Sequence, residues 1–137
     1  MWWIYALLSA LFAALTAIFA KVGVANVNSN LATAIRTVII LIVAWGIVLA
    51  RNEQKQLNAV SKHSLLFLVI SGLATGLSWI FYFKALQIGK VSQVAPVDKL
   101  SVALTIVLSV LFLGEPLTFK TATGALLIIT GTLVLIL

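Results

Sequence analysis

Cysteine is absent from this chain, and among its 137 residues there are only three acidic side chains, one histidine and two prolines. Without cysteine it can form no disulfide, no thiolate metal site and no cysteine nucleophile. The single His63 lies in the 51–64 loop, far from Asp98, and no metal-ligand cluster, nucleophile–base pair or glycine-rich phosphate loop appears. An enzyme is therefore not expected, nor a metal or cofactor. His63 reads as a solvated interface residue, and Glu115, just before Pro116, as part of a surface turn. Charge is scarce as well: 9% of residues are charged, against roughly a quarter in soluble domains. What remains is apolar, with 63% hydrophobic residues and a mean hydropathy of +1.22, so the expected class is an all-α integral membrane protein. The net charge of +6 does not point to nucleic acid, because the basic residues are dispersed singly and form no stripe.

Five transmembrane spans are expected, near 2–22, 29–50, 64–84, 92–113 and 118–137, each about as long as a tilted membrane helix requires. Polar residues punctuate them. Asn26, Asn28, Ser29 and Asn30 supply N-caps for the second span, residues 51–64 form the one extended loop, and Gly114 with Pro116 closes the fourth span. The first span has no basic leader region and no small-x-small cleavage pattern, so it reads as a permanent helix. Ala6, Ala10, Ala13, Ala14 and Ala17, the pair Gly72 and Gly76, and Gly124 with Gly131 are small residues at helical spacing, expected to let helices pack closely within the chain. Trp2, Trp3 and Tyr5 fit an interfacial belt, while Trp79 and Tyr82 fit either a belt or a cavity wall.

Charge does not choose an orientation. One face of the bilayer would carry Arg51, Lys55, Lys62 and Lys120, and the other Lys21, Lys84 and Lys90. So small a bias predicts no single topology and allows insertion both ways. A five-helix chain could then pair with an inverted copy to make ten helices.

Four ionisable residues fall at membrane depth. Uncharged helix from Thr37 to Ala50 and from Leu100 to Leu113 is 14 residues in each case, or about 21 Å at the α-helical rise, against a hydrocarbon core of about 30 Å. The second span must therefore take in Arg36, and the fourth Asp98 and Lys99. With Lys84 near the end of the third span, these residues are expected in one slab of the membrane, Arg36 and Asp98 lying about 9–11 Å deep. Arg36 and Lys99 either snorkel to water or face a cavity; Lys84 either meets a partner or caps free carbonyls. Asp98 is too short to snorkel and must be paired, protonated or wet. Pro96 adds that either residues 92–95 are irregular and the helix starts at the proline, or the helix bends just before Asp98. Both options mark 92–99 as the expected ligand segment, since irregular backbone at that depth is tolerated where it lines a cavity.

The run Trp79–Gly89 (WIFYFKALQIG), Ser92–Ser101 (SQVAPVDKLS), Leu113–Glu115 (LGE) and Gly124–Leu133 (GALLIITGTL) resembles the EamA-type module of the drug/metabolite transporter superfamily, over essentially the whole chain. The length and the Pro96–Ser101 sequence (PVDKLS) resemble its single-module, five-helix bacterial and archaeal branch. The resemblance implies half of a ten-helix inverted-repeat transporter in a prokaryotic cytoplasmic membrane, working as a homodimer, antiparallel or paired with a related module. It implies a small-molecule substrate bound between modules. The first span carries no acid, unlike the small multidrug-resistance relatives, which argues against cationic drug export. With Arg36, Lys84 and Lys99 set against Asp98, the layer favours an anionic or zwitterionic metabolite. The expected function is a proton- or gradient-driven carrier with Asp98 as the coupling group and Arg36, Lys84, Trp79, Tyr82, Pro96, Lys99 and Ser101 as further site candidates. The alternatives are a non-transporting scaffold or regulatory subunit and a small multidrug exporter.

Overall fold

The computed structural model describes residues 1–137. It is helical without strands. The helices are α1 (Trp2–Gly23), α2 (Ser29–Ala50), α3 (Lys62–Ile88), α4 (Val91–Asp98), α5 (Leu100–Leu113) and α6 (Phe119–Ile136), with a 3₁₀ stretch at Glu53–Ala59. Counting Val91–Leu113 as one span, five are long and apolar enough to cross a membrane, in agreement with the sequence reading. Most of their large apolar side chains are exposed, as expected where lipid rather than protein surrounds them.

Local chemistry sets the ends. The Asn28 side chain caps α2, its Oδ1 accepting from the backbone N–H of Asn30 at 2.9 Å and of Leu31 at 3.4 Å. That satisfies donors the first helical turn leaves free. Thr118 caps α6 reciprocally with Thr121: each side-chain oxygen accepts from the other residue's backbone N–H. Gly114 ends α5 at φ 67°, a left-handed conformation that costs glycine nothing.

Three expectations are revised. The third span is longer than 64–84: α3 starts at Lys62 and continues one turn past Lys84, to Ile88. Residues 92–95 are helical, because the Lys90 carbonyl accepts from Gln93 and Val94 (3.0 and 2.9 Å) and closes the first turn of α4 before the proline. The interruption comes later, at Lys99, after Asp98 and not before it. The glycines do not mediate close packing inside the chain: a Cβ on Gly72, Gly76, Gly124 or Gly131 would meet no atom within 4 Å.

The chain divides into two compact units, one of Met1–Ile18 with Ile88–Leu137 and one of Phe19–Gln87. In the first, α6 packs on α4 and α5, with Ala103 and Thr132 buried. In the second, Ala20, Val24, Ser29, Thr33, Phe83 and Leu86 are buried where the α1–α2 turn meets the end of α3. Polar contacts tie this cluster together. Lys21 Nζ donates to the Leu86 carbonyl at 2.6 Å, and Gln87 Nε2 donates to the carbonyls of Val24 at 3.2 Å and Val27 at 3.0 Å. They supply donors to carbonyls that chain ends and turns leave without helical partners.

Candidate functional site

Within the Phe19–Gln87 unit, Arg36 lies seven residues into α2, about 10 Å along its axis. Its guanidinium carbon is 4.3 Å from the centre of the Trp79 ring and 5.1 Å from that of Phe83. These two aromatics stand four residues apart on α3, so helical spacing stacks them on one face and makes a seat for a cation. The Tyr82 ring meets Phe83 edge-on with centroids 6.3 Å apart. The Arg36 side chain thus lies against α3. No acceptor pairs with it: the two ion pairs of the molecule are Arg51–Glu53 and Lys99–Asp98.

In the other unit, Pro96 has no N–H to give the Ser92 carbonyl, and the helix survives it by only two residues. The Lys99 N–H then bonds to both Ala95 (3.3 Å) and Pro96 (3.0 Å), and the Lys99 carbonyl accepts from Val102 at 3.0 Å, a tightened turn joining α4 to α5. From α6, the buried Thr132 hydroxyl donates to the Pro96 carbonyl at 3.3 Å. The Asp98 carboxylate accepts from Lys99 Nζ at 3.1 Å, with the side chains 32% and 58% exposed respectively. Of the three conditions open to Asp98, this is the paired one.

The structure brings together Arg36 with Trp79 and, at the α4–α5 turn, Pro96, Asp98 and Lys99. Lys84 is exposed and does not cap the helix end; that task falls to Lys21. Ser101 is exposed, and its carbonyl accepts from the Thr105 hydroxyl at 2.8 Å. No three His, Asp or Glu side chains gather into a group that could hold a metal ion. Sequence reasoning missed Phe83, Gln87 and Lys21. The spacing of Trp79 and Phe83 was a signal for the first; for Gln87 and Lys21 nothing local was available, because their acceptors lie 60 or more residues away.

A family model described as EamA-like transporter family matches residues 1–137. A Sinorhizobium sp. protein named as an uncharacterized transporter in the cobO 3' region is 51% identical over 134 residues, covering 98% of this chain and 95% of the relative. An uncharacterized protein of Methanocaldococcus jannaschii is 32% identical over 83 residues, 61% of each chain. No solved structure matches significantly.

Proposed function

Because this chain belongs to the EamA-like transporter family and is a multi-pass membrane protein with five candidate spans, we propose that it carries a small anionic or zwitterionic metabolite across a prokaryotic cytoplasmic membrane by alternating access. The working unit in this reading is a dimer of two five-helix modules, and Asp98 carries a coupling proton. One observation favours this solute class: Arg36, at membrane depth, rests on two aromatic rings and has no carboxylate of its own. A charge held there is costly and is retained where it faces water, a partner or a solute. The Asp98–Lys99 pair is internally neutral, so it does not cancel the charge on Arg36. A cationic drug would have to approach this uncompensated guanidinium, which disfavours multidrug export.

The test is uptake of radiolabelled small carboxylates and amino acids into proteoliposomes, with and without an imposed pH gradient. Saturable uptake by the native chain is expected, reduced at least tenfold by Arg36→Gln. Asp98→Asn should remove the response to the pH gradient. A gradient response unchanged in Asp98→Asn would take the coupling role from this residue, and the absence of uptake for any solute would favour the scaffold reading.

A further inference from the structure

The aromatic seat does more than tolerate a charge. Resting on the transporter reading above, we propose that Arg36 is an oriented receptor for a single carboxylate of the solute, recognised through the paired N–H edge of the guanidinium, with Trp79 and Phe83 as its positioning residues.

A guanidinium is planar and carries five N–H donors in that plane, none of them on its faces. Contact with the Trp79 ring at 4.3 Å and the Phe83 ring at 5.1 Å stabilises the cation through ring electrostatics, which needs no hydrogen-bond acceptor. No carboxylate of the chain takes its N–H donors, since neither ion pair of the molecule includes Arg36. A long side chain that would otherwise wander is thereby held ready, which lowers the ordering cost of binding. The ligand that matches this edge has two oxygens in one plane and one negative charge, and a carboxylate fits through two parallel N–H···O bonds. A phosphate monoester, at about −1.5 to −2, would leave excess charge against one arginine. The phosphodiester of a lipid headgroup offers the same charge and a comparable pair of oxygens, so the experiment must separate a lipid from a solute.

The full chain is purified in a nonionic maltoside with Trp2, Trp3 and Trp45 replaced by Phe, leaving Trp79 as the one tryptophan. Its emission is followed while sodium acetate or sodium butyrate is titrated against sodium chloride at equal ionic strength. A saturable change with the carboxylates and none with chloride is expected, abolished by Arg36→Gln. Arg36→Lys keeps the charge but loses the fork, and binding should weaken about 10- to 100-fold. Binding to the Trp79 variants is read by thermal stabilisation: Trp79→Leu should weaken it roughly 3- to 30-fold, and Trp79→Phe should recover most of the loss, a rescue that a space-filling role would not require. Circular dichroism confirms that each variant remains helical.

Arg36→Lys binding as tightly as the native chain would overturn recognition by the fork and leave transport untouched. A Trp79 response to added phosphatidylglycerol but not to acetate or butyrate would assign the seat to lipid and overturn the proposal. Uptake in proteoliposomes without any carboxylate response at Trp79 would also overturn it while sparing the transporter reading. Carboxylate binding without uptake would sustain the receptor and remove the transporter reading.

Discussion

Arg36 in the Phe19–Gln87 unit is held by two rings on a different helix, whereas Asp98 in the other unit is held by the residue that follows it. The first arrangement exists only when α3 lies within reach of the long Arg36 side chain on α2. The second needs no more than one turn of chain, and a partly exposed pair of this kind contributes little, on the order of 0–1 kcal/mol. The difference separates what each site can do. A charge fixed by tertiary contacts is held in place by another helix, while a charge paired with its neighbour keeps its partner wherever that turn of chain goes. In the proposed reading, the receptor and the coupling group therefore belong to different parts of the chain.

The contrast can be broken most forcefully at the contacts that fix the tertiary unit. Gln87→Leu removes the donor shared by the Val24 and Val27 carbonyls and should destabilise the purified chain by about 1–3 kcal/mol in detergent unfolding. A change within error would mean the Phe19–Gln87 unit is not held by these bonds. A smaller effect should sharpen the comparison. A double-mutant cycle of Arg36→Gln and Trp79→Leu should return a coupling of about 0.5–2 kcal/mol in stability, and additivity would dissolve the seat. Smallest of all, exchanging the charges as Asp98→Lys with Lys99→Asp should shift stability by less than about 1 kcal/mol. A larger loss would show that the pair is structural and make it a poor switch.

Much of this molecule was legible in its sequence, and the reasons are local. Hydropathy over twenty residues needs no knowledge of neighbours, so the spans were readable to within a few residues. Asn28, Gly114 and Pro116 act on their own chain segments, and their effects follow from side-chain chemistry and backbone sterics. Span length alone picked out Arg36, Asp98 and Lys99, and each lies inside a candidate span. Their partners were only half legible. Asp98 met the residue beside it, but Arg36 met Trp79 and Phe83 across a helix–helix contact whose register the apolar pattern does not encode. Pro96 misled by two residues: capping by the Lys90 carbonyl let the helix form before the proline, so the break moved to Lys99. Lys84 misled because α3 outlasts it, its last turn continuing through Ala85, Leu86 and Gln87.

The contacts of Lys21 and Gln87 also bear on biogenesis. The carbonyls of Val24 and Val27 at the turn after α1 take their donors from a glutamine 63 and 60 residues later, and Lys21 finds its acceptor 65 residues downstream. While α1 and α2 emerge from the ribosome, that turn has no permanent partners and depends on water or lipid headgroups at the bilayer edge. In the folded chain the turn of the first hairpin is thus held by the final turn of α3. A chain that ends before residue 86 lacks these donors, so the turn between the first two helices is completed only by residues at the end of the third.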